Sequence, residues 1–536
     1  MKYHFSAFLA FFLLIFLTFG LSPSVISQVN SQQLEKMNRA LQVVRLAYIE
    51  PVDEEKLVEE AIKGMLRELD PHSVYLSAEE LRAANEPLQG SFEGIGVQFN
   101  IINDTIVVLS AVPGGPSEKV GILPGDKIVT IDGASSAGSH VTNQFVMDRL
   151  RGQRGSKVNV GIFRRGSRGL LDFTITRDRI PINSVDAAYM AAPGIGYIKV
   201  NRFARTTMRE FRESIEKLNR EGMQHLILDL NFNSGGFLDV AIDLSDQFLD
   251  GDKLIVYTEG HSAPTQERIS TSRGAFKKGK LVVLINEGSA SASEILAGAV
   301  QDWDRGLIVG RRSFGKGLVQ QPFSLPDGSA IRLTTARYHT PTGRSIQKPY
   351  DEGNDKYFAD LTQRLRMGEL VNPDNITFPD SLKYYTKINK RVVYGGGGIM
   401  PDVFIPIDTN RVSNFYSRLV RRGILNTFSI EYTNERRQEL MRRYPDLNSF
   451  VSNFQVSDAL LQELYDYAER QGVTSGDEEM QSTLPYLKIQ VKGFIARNLF
   501  DFSAYIQVTS EMDDAYQKAV KLIQSDIFDE MKIQYR

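Results

Sequence analysis

The chain has 536 residues, 42% of them hydrophobic, with 63 basic against 65 acidic residues, no cysteine and six histidines. That length corresponds to about three or four domains of ordinary globular composition, and the net charge of -2 argues against a nucleic-acid binder. The missing cysteines exclude disulfides, thiolate metal sites and a cysteine nucleophile; the histidines are too scattered for a His-rich metal centre, so no metal or cofactor is expected and any catalysis must come from Ser, Lys, Asp, Glu or backbone groups.

After Lys2, an apolar run from Phe5 to Leu21 is broken by Ser22-Pro23-Ser24, and Val25 and Ser27 satisfy the small-residue rule for cleavage before Gln28. Residues 1–27 therefore read as a secretory signal peptide, with an uncleaved membrane anchor as the competing reading. Export without cysteine suits a periplasmic or cell-envelope protein of a bacterium. Residues 28–89 are helical in character: Leu57, Ala61, Met65 and Leu69 recur at helical spacing, and Leu69-Asp70-Pro71-His72-Ser73 is a turn signal. From 90 to 180 the texture becomes β-rich, with strands expected around Ile101, 106–109, 127–131, 158–163 and 173–175 and a helix over 143–150.

Beyond Pro181 strand and helix alternate. Strands are expected at 195–200, 226–230, 254–257, 281–285 and 307–309, with helices over 208–218, 238–249 and 292–303, which indicates a sheet flanked by helices. The polar stretch 259–280 reads as a long loop. After the glycines at 395–398, residues 406–536 return to charged helices, with Ile489 to Val491 suggesting one strand.

The string Ser289-Ala290-Ser291-Ala292-Ser293-Glu294 stands between a buried strand and a helix rich in small residues. A serine there meets the helix's free N–H groups and positive dipole end, which suits a nucleophile, although an ordinary N-cap has the same signature. Three serines leave the choice open at this point. The G-x-S-x-G elbow is absent, and neither His225 nor His339 has an evident orienting carboxylate, so a lysine whose pKa is depressed by burial is the alternative base. Ser214-Ile215-Glu216-Lys217 lies mid-helix and reads as structural. In Phe314-Gly315-Lys316-Gly317-Leu318-Val319-Gln320, an extended backbone puts Lys316, Leu318 and Gln320 on one face, where Gln320 could orient the amine; a plain surface turn is the competing reading.

These strings, with Gly343-Arg344-Ser345-Ile346-Gln347, Leu69-Asp70-Pro71-His72-Ser73 and Gly94-Ile95-Gly96-Val97, resemble the carboxyl-terminal processing peptidases, or tail-specific proteases, over about residues 35 to 405. That family places a catalytic lysine 25 and a glutamine 29 residues after its serine; counted back from Lys316 and Gln320, both intervals land on Ser291. The resemblance implies a Ser291, Lys316 and Gln320 catalytic set with an oxyanion hole from Ala292 and Gly235 or Gly236. It also implies a multidomain α/β fold: a crotonase/ClpP-like protease core (181–405) interrupted by a PDZ domain (90–180), flanked by helical regions at 28–89 and 406–536. Gly94, Ile95, Gly96 and Val97 would receive a free C-terminal carboxylate and help line an apolar pocket. One departure concerns the loop after the buried strand: the family usually has Arg-Asn-Asn-Pro-Gly-Gly, and this chain has Asn231-Phe232-Asn233-Ser234-Gly235-Gly236. Another is His339, where a tyrosine is common.

The expected partners are protein substrates with free, apolar C-termini, with an adaptor and a homo-oligomer contact left open. Docking on the PDZ module is expected to align the catalytic set. Two rivals stand: a catalytically silent PDZ scaffold, and a crotonase-like enzyme acting on small acyl substrates.

Overall fold

A computed structural model describes residues 31–536 apart from 103, 263, 409–412 and 475–476; the expected signal segment and its cleavage site lie outside the described residues. No helix among the described residues is long and apolar enough to cross a membrane. The chain divides into two units, Met1–Leu69 and Asp70–Arg536. The first contains helices α1 (Ser31–Ala47) and α2 (Glu54–Arg67), with an Arg45–Glu54 ion pair between them and Asp53 capping α2 by accepting from the Lys56 N–H.

The second unit opens with a short strand, β1 (Val74–Leu76), which follows the expected turn at 69–73 inside a region otherwise read as helical. Asp70 fixes it: its carboxylate accepts from the N–H groups of His72 and Ser73 and from the hydroxyls of Ser73 and Thr334. Helix α3 (Ala78–Gln89) follows, begun by the reciprocal Ser77–Glu80 capping pair and ended by Gly90 at φ +76°. Strand β2 (Ser91–Gly94) leads into an antiparallel module of β3 (Val97–Ile102), β4 (Thr105–Ala111), β5 (Lys127–Ile131), helix α4 (Asn143–Leu150), β6 (Lys157–Phe163) and β7 (Leu170–Thr176), with strand order β3-β4-β5-β6-β7. Its core includes Ile106, Val108, Ile128, Val158, Ile162 and Ile175, each an apolar residue on the inward side of an alternating strand. The chain leaves through β8 (Asp178–Pro181), which pairs antiparallel with β2, Ser91 opposite Pro181.

The largest core is built on a six-stranded sheet. Strands β9 (Val185–Ala192) and β10 (Ile195–Val200) form a hairpin; helix α5 (Thr207–Arg220), strand β11 (His225–Asp229) and helix α6 (Leu238–Asp246) follow. Next come β12 (Leu254–Glu259), β13 (Gln266–Ile269), β14 (Leu281–Ile285), helix α7 (Ala292–Asp302) and β15 (Leu307–Gly310). The sheet order is β9-β10-β11-β14-β15-β18, where β18 is Val403–Phe404 and all pairs but the first are parallel. Leu281 to Ile285 are buried without exception, as expected for a parallel strand covered on both faces. One face packs on α5, α6 and α7 through Phe211, Leu244 and Leu296.

A second sheet joins β1, β12 and β13 to β16 (Leu318–Ser324) and β17 (Ala330–His339). The stretch expected to be a loop after Glu259 thus carries β13, an edge strand with all four side chains exposed. Helix α8 (Asn354–Arg366) packs Tyr357 and Arg364 inward. Residues 414–508 form helices around their own core. The expected strand at 489–491 is instead part of helix Asp477–Leu499: Leu487, Val491 and Ile495 recur every four residues and are fully buried, so packing overrides the β-branched preference. Beyond that core, helix Asp514–Gln524 and Phe528 cover the second face of the six-stranded sheet, against Tyr197, Ile227, Leu284 and Val309.

Candidate active site

A cleft with a cavity volume of about 780 Å³ is lined by Ser291, Ala292, Gly235, Gly236, Lys316 and Gln320, together with Phe232, Phe237, Leu318, Arg332 and Tyr338. The expected catalytic and oxyanion residues are therefore brought together, from three loops. Ser291 sits where β14 hands over to α7, in a sparsely populated positive-φ backbone conformation (φ +55°, ψ -112°) that costs a non-glycine residue on the order of 1–3 kcal/mol. Gly235 lies against it: a Cβ at 235 would come 2.9 Å from Ser291 Cβ and 3.1 Å from Ala292 N, so only glycine admits this approach. The Gly235 N–H donates to Asn233 Oδ1 at 2.9 Å, which leaves Gly236 as the open one of the two expected glycine donors. The N–H groups of Gly236 and Ala292 have no partner among the described residues.

Lys316 precedes β16, and its Nζ donates to Gln320 Oε1 at 3.1 Å, as the alternation predicted, although a register shift falls between Val319 and Gln320. Burial lowers the Lys316 pKa to about 8, and the Arg332 charge pushes the same way. A useful fraction of the amine is therefore neutral near physiological pH. Gln320 Nε2 donates to the His72 carbonyl at 2.6 Å, which fixes the amide so that its oxygen faces the lysine. His72 itself, held to a pKa of about 4 by burial and by Lys316, bonds to the Tyr357 hydroxyl.

The serine and lysine loops are latched to each other by residues whose roles the sequence did not disclose. Glu294, fully buried, accepts from the N–H groups of Ser291 (2.7 Å), Gly315 (2.7 Å) and Lys316 (2.9 Å) and from the Ser313 hydroxyl (2.5 Å). Burial pushes its pKa up against the pull of those donors. The Tyr338 hydroxyl lies between the carbonyls of Ser291 and Lys316, at 3.0 and 2.5 Å. Gln347 accepts from the Gly317 N–H, and Arg344, with no exposed surface, pairs with Asp302 at 2.8 Å and donates to Tyr394 O, so the string from 343 to 347 supports the lysine loop. At the end of β11, Asp229 accepts from Lys199, Tyr197 and the Asn231 N–H, which sets the turn into the glycine loop.

The remaining candidates lie elsewhere. Ser214 bonds back to the Glu210 carbonyl and Lys217 to Ala188 O, the structural arrangement expected of them. His225 accepts from the Lys280 N–H, and His339 stacks on Tyr257 with ring centroids 4.7 Å apart; neither lines the cleft. Ile95 and Gly96 form the turn between β2 and β3, with Gly94 the last residue of β2 and Val97 the first of β3. Ile95, expected to help line a pocket, is 2% exposed and sits in the core of the β-rich module, its carbonyl accepting from Ser117; Val97 is half-buried.

A carboxy-terminal-processing protease of Bartonella bacilliformis is 39% identical over 321 residues, covering 59% of this chain and 73% of that protein. The carboxy-terminal processing protease CtpA of Bacillus subtilis is 35% identical over 323 residues, covering 60% of this chain and 68% of its own. This chain belongs to the carboxy-terminal processing proteases. Consistent with that membership, peptidase family S41 matches residues 194–352, a PDZ domain 94–175 and the activating protease CtpB N-terminal domain 22–80, so the chain is a serine-type peptidase with a PDZ domain. A family of unknown function, DUF8443, matches 415–501. Among solved structures, the photosystem II D1 C-terminal processing protease aligns with 70% of this protease and 88% of its own chain, at 28% identity and a TM-score of 0.36.

Proposed function

We propose that this protease is an exported endopeptidase that binds the C-terminal tails of protein substrates on its PDZ domain and cleaves them through a Ser291–Lys316 dyad. The observation that carries the reading is the buried Lys316 amine, with a pKa near 8 and oriented by Gln320, in the same cleft as a strained serine at the head of α7. Neutral Lys316 takes the Ser291 proton as Oγ attacks the scissile carbonyl. The N–H groups of Gly236 and Ala292 receive the oxyanion, each such donor contributing about 3 kcal/mol to the transition state. Lys316 then returns the proton to the departing amine, and water, deprotonated by the same lysine, hydrolyses the acyl-enzyme.

Residues 181–405 act in this reading as a crotonase/ClpP-like core, 90–180 as an inserted PDZ domain whose Gly94–Val97 turn takes the substrate carboxylate, 28–89 as the N-terminal helical region and 406–536 as the C-terminal one. The apolar run at 5–21 directs export to the periplasm or cell envelope. The test is cleavage of a protein bearing an apolar C-terminal tail by the purified wild type, Ser291→Ala and Lys316→Ala. Cleavage by the wild type alone, with tail binding retained in both variants, supports the reading. Undiminished turnover by Lys316→Ala removes the dyad, and binding without cleavage by the wild type leaves the silent scaffold.

A further inference from the structure

Phe232 is a bulky residue in a place that the backbone makes uncomfortable for it. It has φ +60°, in the left-handed region that glycine and asparagine tolerate and that is an outlier for a large side chain. Burial does not explain the ring, because Phe232 remains 71% exposed.

What surrounds it fixes the residue firmly. The Phe232 N–H donates to Asn286 Oδ1 at 2.9 Å, and the same oxygen accepts from Gly288 N at 3.0 Å. Gly288 lies beneath the ring: a Cβ there would come 2.9 Å from Phe232 Cδ1. Asn286 is itself buried and bonded through its N–H to Ser289 Oγ, whose hydroxyl donates to Leu230 O, so the loops after β11 and β14 are clamped together under the phenylalanine. The ring lines the catalytic cleft beside Gly235 and Ser291, and it also borders a separate polar cavity of about 270 Å³ that contains Lys199 and Arg311. A strained, clamped and solvent-exposed aromatic at the rim of a cleft is held for what it touches from outside the chain.

We propose that Phe232 is a specificity-determining residue: a fixed apolar platform, at the boundary between the catalytic cleft and the polar cavity, that contacts an apolar substrate side chain within two residues of the scissile bond. This rests on the cleft being the peptidase site. Elsewhere the cleft is lined by Leu76, Leu81, Leu88 and Phe237, which extends the same apolar surface.

The test compares the full chain with Phe232→Asn, which removes the ring and suits the left-handed backbone, and Phe232→Tyr, which keeps ring and strain. Cleavage sites in unfolded casein are mapped by mass spectrometry, and kcat/KM is measured on a peptide pair differing only in Leu or Ala beside the mapped cut. The wild type and Phe232→Tyr are expected to prefer Leu at least tenfold. Phe232→Asn should lower that ratio to within about twofold of unity while its Tm rises. An unchanged ratio in Phe232→Asn, a ratio lost equally in Phe232→Tyr, or loss of cleavage of both peptides would overturn the proposal, the last by placing Phe232 in the oxyanion geometry instead. Cleavage surviving in Ser291→Ala would refute the dyad and leave the ratio measurable, so the two failures are distinct.

Discussion

The loop that carries Ser291 and the turn at Gly94–Val97 both leave a strand through small residues, and they are held by different forces. Around Ser291 the grip comes from side chains: Glu294 and Tyr338 reach both catalytic loops, Gln347 holds the second, and Asn286 with Ser289 clamps the glycine loop. At Gly94–Val97 the grip is backbone shape, with Gly96 at φ +73°, a carbonyl bonded to Ser117 and one apolar side chain sunk in the core. A site that moves protons needs groups fixed individually, by bonds that hold in a dry interior. In the proposed reading, a turn that offers N–H groups to a substrate tail needs only the right curvature.

The sharpest break in that comparison is at the dyad. Ser291→Ala and Lys316→Ala should each lower kcat/KM by about 10⁴-fold or more and together cost little beyond either alone, measured by steady-state cleavage. Glu294→Gln keeps the shape and exchanges an acceptor for a donor among four inward-pointing donors. A loss of roughly 10²-fold in kcat, with destabilisation of about 1–3 kcal/mol by denaturant titration, is expected. Retention of full activity would show that the two loops stand without their latch.

Arg332→Gln removes a positive charge that disfavours protonated Lys316, so the lysine becomes more basic. The rise of kcat/KM with pH, expected to centre near 8 in the wild type, should move to higher pH, and the rate at pH 7 should fall by about two- to tenfold. Lys316→Met probes the same burial through stability. The native state binds fewer protons than the unfolded one between about pH 8 and the ordinary lysine pKa of 10.5, so wild-type stability gains from this group as pH rises through that window. The methionine variant should therefore melt roughly 2 °C or more above the wild type at pH 7, with the gap closing above pH 10. The smallest effect belongs to the other loop: Gly96→Ala places a Cβ 2.9 Å from Ile180 Cδ1 at positive φ and should cost about 1 kcal/mol, slowing cleavage of tailed proteins more than of short peptides.

The sequence announced those parts of the fold whose residues face one environment along their whole length. Leu281 to Ile285 is apolar on both faces and reads at once as a buried strand, and Ile195 to Val200 is nearly so, with Lys199 its one charged residue. Strand β17 did not, because Arg332, Thr334 and Arg337 interrupt it and most of its residues are half-buried; β13 did not, because backbone pairing alone holds four exposed side chains. The residues alone left three serines open, and only the resemblance, through that family's intervals to its lysine and glutamine, singled out Ser291 as the expected nucleophile. Glu294 was visible as a letter in the same string, yet nothing local shows that a helix's third residue reaches a loop more than twenty positions on. The commitment of Gly235 to Asn233 was equally hidden, since both residues fit an oxyanion loop by type.

Strands β2 and β8 form a ribbon of four residue pairs, and through it the chain both enters and leaves the β-rich module. Its two ends are neighbours, which makes the module a cassette: a different domain could be spliced in at Gly94 and Asp178 without cutting any strand of the six-stranded sheet. If the module reads substrate tails as proposed, such a neck would let recombination change what the protease notices while the six-stranded sheet is inherited intact.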